Sequence, residues 1–222
     1  MQATRVAIFY DGSYFRQGNL YFRYKEKRGW ISLPSLHALL ERYVAAKEKV
    51  AEETTKLVEA HYYDGRVSTE AAREGQLEKD RGFELALLDA GIVPHYLPLR
   101  EVPKNADDPD AGFMISQKGV DVNIALDSLD LAHANRYDVA VLFTGDEDFV
   151  PLVRKVTSLG KRVLVAHYDV ENWNGDDGKP HRGTFVSRKL KDVASYTLNM
   201  NHLVKDTDWK NDVKALFFKP RE

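Results

Sequence analysis

Short apolar runs alternate with longer stretches of helical periodicity along most of the chain. Residues 5–10 are compactly apolar and run into Asp11-Gly12, the pattern of a buried parallel strand that ends in a turn. Residues 13–32 interleave rings with cations, and no element is assigned to them. Ser32-Leu33-Pro34 then predicts a helix start, and Leu36, Leu39, Leu40 and Tyr43 keep helical spacing in a helix that runs to about residue 53. Further strands are predicted at 57–63, closed by Asp64-Gly65, and at 92–97, 139–143 and 162–167. A helix over 69–90 carries Phe83, Leu85, Leu87 and Leu88 in its apolar stripe and stops at Gly91. A second, over 120–134, places Val122, Ala125, Leu126, Leu129 and Ala132 on one face. Helices at 147–159 and 187–198 complete the pattern. The Pro- and acid-rich stretch 101–112 reads as an exposed loop or hairpin, and 172–183 as a loop.

Strands that alternate with helices predict an α/β fold: a single Rossmann-like domain with a central, mostly parallel sheet of about five strands and helices on both faces. Right-handed crossovers bring the C-terminal ends of the strands, and the N-termini of the helices that follow, to one edge. Ligands bind at that edge where the strand order reverses. Asp11, Asp146 and Asp148 each follow a predicted strand directly, and Asp121 lies in the first turn of a predicted helix.

Composition narrows the picture. With 222 residues the chain suits one well-filled domain, and 43% apolar and 30% charged residues are ordinary for a globular protein. A formal net charge of -2 argues against a protein that coats nucleic acid electrostatically, but not against a nuclease, where local fields matter more. There are 0 Cys, which excludes disulfides and thiolate metal sites and fits a reducing compartment. Residues 1–5 lack a leader pattern, and no run approaches the ~20 apolar residues of a membrane span. The expectation is a cytoplasmic protein that does not engage a membrane.

Four aspartates gathered at one sheet edge would repel one another unless a divalent cation neutralised them. Mg²⁺ or Mn²⁺ takes hard oxygen ligands of this kind, and with a phosphodiester bound it polarises the phosphoryl oxygen and activates a water. Asp11, Asp121, Asp146 and Asp148 are therefore the candidate catalytic and metal-binding residues, with Thr144 and Ser13 placed to orient a water. Each acid also has a plainer explanation: Asp11-Gly12 as turn punctuation, Asp121 as a favourable charge at a helix start, Asp146 or Asp148 as an N-cap. The plain explanation leaves Gly145 unaccounted for, together with two aspartates that bracket Glu147.

At these residues the chain resembles the NYN domain family, in its LabA-like branch, within the broader PIN-like nucleases. The segments that carry the resemblance are Ile8-Phe9-Tyr10-Asp11-Gly12-Ser13, Lys118-Gly119-Val120-Asp121-Val122, Tyr137-Asp138, Thr144-Gly145-Asp146-Glu147-Asp148-Phe149-Val150-Pro151-Leu152 and Leu159-Gly160-Lys161-Arg162-Val163. It spans roughly residues 5–195. It implies a PIN-type fold over residues 1–200, a C-terminal extension over 201–222, and a divalent-metal-dependent ribonuclease whose acidic cluster is Asp11, Asp121, Asp146 and Asp148. Ser13 stands where many relatives carry Asn.

The resemblance makes RNA the expected partner, and the rings and cations interleaved over residues 14–30 suit a single strand. Tyr14, Arg16 and Lys118 are the best substrate-binding candidates, beside Ser13 and Thr144; most other rings there read as core. His61, His95 and His167 lie in strands and read as structural, while His181-Arg182 is a weak candidate for substrate contact. The charged end of helix 33–53 is a candidate surface for self-association or protein partners, and solvation explains it equally. Two alternatives to an endonucleolytic hydrolase stand beside it: a catalytically weak RNA-binding or adaptor module, and an aspartyl-phosphate enzyme. Ser13 argues against the last, since a haloacid-dehalogenase-type phosphatase needs Asp there.

Overall fold

The computed structural model describes residues 3–66, 75–103, 113–116, 118–175 and 178–219. Residues 69–74 of the helix predicted at 69–90, and 104–112 of the loop predicted at 101–112, lie outside the described residues.

β1 (Thr4–Asp11) runs directly into α1 (Gly12–Leu20), whose end widens into a π-helical turn at Tyr21–Lys25. The interleaved rings and cations, to which the sequence assigned no element, are helical over residues 12–25. A two-residue strand, β2 (Trp30–Ile31), leads into α2 (Leu33–Glu48). α2 starts as predicted, with Ser32 Oγ accepting from the Ser35 N–H and Pro34 in the first turn. It ends earlier than predicted, because Lys49 adopts a left-handed conformation at φ 56°.

β3 (Thr55–Arg66) takes in Asp64 and Gly65 as part of the strand rather than as its stop. α3 (Gln76–Asp89) and β4 (Val93–Pro98) follow, then a ribbon of β5 (Arg100–Pro103) and β6 (Phe113–Ser116). The second half holds α4 (Val120–His133), β7 (Val139–Phe143), a 3₁₀ turn at Glu147–Phe149, α5 (Val150–Ser158) and β8 (Arg162–His167). A short ribbon of β9 (Trp173–Asn174) and β10 (Pro180–His181) precedes α6 (Arg188–Val193), β11 (Tyr196–Asn199), α7 (Met200–Leu203), α8 (Lys210–Leu216) and β12 (Phe217–Phe218).

The central sheet has six strands in the order β11-β8-β7-β1-β3-β4, and every pairing in it is parallel. The sixth strand comes from the segment predicted as a helix to residue 198. That helix stops at Val193, and Tyr196–Asn199 pairs with Leu164–His167 instead, where β-favouring Tyr196 and Thr197 complete the sheet edge. Alternate residues of β1 and β7 enter opposite cores. Val6, Ile8, Tyr10, Val141 and Phe143 face one side with α1 and α2; Ala7, Phe9, Ala140 and Leu142 face the other with α4 and α5. Burial on both faces explains why these strands read as continuous apolar runs.

Two helical faces differ from the expectation. α4 turns Val120, Ile124, Ser128 and Ala132 inward and leaves Val122 and Leu126 more than half exposed. α3 buries Leu87 but exposes Leu85 and Leu88. Both helices carry apolar residues on more than one face, so periodicity alone does not choose the buried one. Described residues between 201 and 219 also pack on the core. α8 packs on α2, Leu216 is fully buried, Arg42 pairs with Asp212, and β12 pairs with β2. No described helix is long and apolar enough to cross a membrane.

Candidate active site

The chain leaves β1 for β3 on one side and returns to β7 on the other side of β1. The C-terminal ends of β1 and β7 therefore flank the point where the strand order reverses, the usual ligand crevice of an open parallel sheet. In register, Tyr10 pairs with Phe143, so the acid that ends β1 and the acids that follow β7 emerge side by side.

Asp11 is the N-cap of α1. Its Oδ1 accepts from Ser13 Oγ at 2.8 Å and from the Tyr14 N–H at 3.2 Å. Its pKa is raised above the usual carboxylate range: burial outweighs these hydrogen bonds, and the charge of Asp64 adds to it. Asp146 caps the 3₁₀ turn, its Oδ1 accepting from the Asp148 N–H at 2.9 Å, and Thr144 Oγ1 accepts from the Asp146 N–H at 3.3 Å. Asp148 is exposed. Asp121 sits in the first turn of α4, which packs across β1 and β3 from a left-handed Gly119 at φ 87°. Its pKa is also raised, first by desolvation and then by Asp11, Asp146 and Asp148 in turn. Asp121 thus lies within electrostatic reach of Asp11, Asp146 and Asp148. Among the described residues no ion pair joins any of them to a cation, and no three His, Asp or Glu are arranged to hold a metal ion. Hard carboxylate oxygens suit Mg²⁺ or Mn²⁺, but the cluster is not a finished ligand cage.

Gly145 has a packing reason that the sequence does not show. A Cβ there would lie 2.7 Å from the Phe185 carbonyl and 2.8 Å from Tyr14 Cε2. The turn after β7 thus closes against the backbone ahead of α6, and the Ser187 N–H donates to the Gly145 carbonyl at 2.8 Å. Glu147 accepts from Ser187 Oγ and pairs with Lys189.

Several substrate-binding candidates turn out to be occupied. Tyr14 is 7% exposed; its hydroxyl donates to the Tyr168 carbonyl and accepts from the Tyr168 N–H at 2.9 Å. With its ring packed beside Gly145 and Tyr168, it offers no face for a base to stack on, so that role is corrected. Arg16 is pinned by both oxygens of Asp64, at 2.8 and 3.0 Å, which satisfies part of its donor fork. Thr144 is buried and shapes the turn, and Ser13 is committed to Asp11. Lys118 is exposed just before α4. His181 stacks on Trp173, and His61 and His95 share a hydrogen bond of 3.1 Å, both structural arrangements.

The residue missed from sequence is Asp64. It is 5% exposed at the end of β3, adjoins Asp11, and accepts from Arg16, Tyr62 Oη and the Gly65 N–H. Its signal was present: Asp64-Gly65 repeats the Asp11-Gly12 pair one strand over.

The NYN domain family matches residues 5–176 of the chain. No curated protein matches the sequence significantly. A crystal structure of a protein of unknown function from Vibrio parahaemolyticus is similar at a TM-score of 0.56 and 22% identity, covering 93% of this chain and 96% of that one. That likeness concerns the fold alone. MurG from Acinetobacter baumannii aligns at 13% identity over 87% of this chain and 40% of its own, with a TM-score of 0.35, too low to carry an argument.

Proposed function

Since the chain belongs to the NYN domain family, with a six-stranded parallel sheet consistent with a PIN-like nuclease fold, we propose that it is a divalent-metal-dependent endoribonuclease acting on single-stranded RNA. The observation that supports this most is the crowding of Asp121 by Asp11, Asp146 and Asp148 at the strand-order switch, with no cation among the described residues to offset it. Asp11, Asp121, Asp146 and Asp148 would hold Mg²⁺ or Mn²⁺, which supplies charge neutralisation and an activated water when bound.

The chain's own residues then orient and confine. Ser13 and the Tyr14 N–H fix the rotamer of Asp11, and the Asp148 N–H fixes Asp146. The N-termini of α1 and α4 carry Asp11 and Asp121, and the helix dipoles there favour an anion. Lys118, exposed just before α4, would serve as a cation for the strand's phosphates.

The test is cleavage of single-stranded RNA by the purified chain with Mg²⁺ or Mn²⁺. Chelator should stop it, and Asp146→Asn should lower the rate by about 10²-fold or more. Undiminished cleavage by that variant removes Asp146 from the mechanism. The second reading, a catalytically weak RNA-binding or adaptor module, draws on the acids being neighbours without a finished ligand cage. It predicts salt-sensitive binding of the same RNA, uncut over hours.

A further inference from the structure

A cavity of about 960 Å³ opens beside the acidic edge, between α1, β3, α3 and the β2–β12 ribbon. Its volume falls in the range of small-ligand sites. Phe15 and Tyr62 form its buried wall, while Trp30, Phe83 and Tyr96 bring rings that remain partly open to solvent. The Arg66 guanidinium lies 3.9 Å from the centre of the Tyr96 ring. Three cations line the cavity (Arg16, Arg66, Lys79) beside two acids (Asp64, Asp80); Arg16 is paired with Asp64 and Arg66 with Glu84, while Lys79 is exposed at the cavity.

Asp64 joins the two places. It lines the cavity through its pair with Arg16, and its charge reaches Asp11. We infer that this cavity receives one unpaired nucleobase of the RNA strand, adjacent to the phosphate held at the acids, an inference that rests on the ribonuclease reading for its biological use. Ring-lined walls suit a planar aromatic group, and the Lys79 ammonium at the cavity suits the sugar-phosphate attached to it. A base seated here cannot be stacked in a duplex, so the cavity would select single-stranded or extruded nucleotides.

Binding can be measured apart from cleavage. The full chain in chelator is titrated with the four nucleoside 5′-monophosphates up to millimolar concentration, with ligand-observed NMR as the readout. At least one should bind saturably, and Asp146→Asn should not abolish that binding. Ala86→Trp fills the cavity from an exposed helical position, and Phe83→Ala removes a ring; each should weaken binding roughly tenfold or more. Absence of binding by all four nucleotides overturns the inference, as does binding that both cavity variants leave intact. Loss of binding in Asp146→Asn overturns it too, since the nucleotide would then sit on the acids. Nucleotide binding that responds to the cavity variants, in a chain that leaves RNA uncut, sinks the ribonuclease reading and keeps the cavity. RNA cleavage without nucleotide binding does the reverse.

Discussion

Asp121 carries two signatures at once: a charge in the first turn of a helix, where the dipole welcomes it, and three like-charged neighbours that do not. Desolvation and the like-charged neighbours win, and its pKa is raised in the fold. A carboxyl whose folded pKa exceeds its unfolded value costs stability as pH rises through that window, and the cost vanishes below both values. Asp121→Asn should therefore raise the melting temperature in chelator at pH 7 by about 1–3 °C, while abolishing RNA cleavage. The gain should shrink toward pH 4, as Asp121 and Asp11 take up protons. Thermal melts of the two proteins across that range check it, and an unchanged or lower melting temperature at pH 7 contradicts the crowding. Gly145 teaches the opposite lesson at the same scale. Its lack of a side chain looked like part of a catalytic signature, and the structure shows that it lets the turn close on Phe185 and Tyr14.

Among elements, the C-terminal segment has the clearest consequence. Its sequence shows no period, yet Leu216 is fully buried, α8 leans on α2, and β12 closes the β2 edge. Leu216→Ala should cost about 2–4 kcal/mol, measured by urea unfolding, since a buried leucine loses both transfer energy and packing. A loss below about 0.5 kcal/mol would show that the segment is only draped on the core. Lone pairings of this kind escape sequence reading because their partner is distant: Phe217 meets Ile31, and Phe218 meets Trp30. β11 escaped for the same reason. Four residues after a helix become a strand only because the edge of β8 is there to receive them.

For the whole molecule, the metal reading carries a linkage. A ligand that binds only the folded chain stabilises it by mass action, by about 2.7 kcal/mol at a hundredfold excess over its dissociation constant. Mn²⁺ or Mg²⁺ at such an excess should raise the melting temperature by about 5–10 °C, and Asp146→Asn should remove most of that shift. If neither ion moves the midpoint at millimolar concentration, the acids do not form a cation site. The measurement needs no RNA, so it separates the metal reading from the substrate reading.

The apolar runs alone determined an α/β fold with a parallel sheet, because strands buried on both faces leave an unbroken hydrophobic signature, as at 5–10 and 139–143. They also placed Asp11, Asp146 and Asp148 just past strand ends, since Asp and Gly mark where such strands stop. Tertiary structure alone decided which side chains remain available. It set Tyr14 into the core, gave Arg16 to Asp64, chose the buried face of α4, and opened a ring-lined cavity between segments up to about two hundred residues apart. Those outcomes depend on neighbours that meet only when the sheet closes, and local sequence carries no record of who they are.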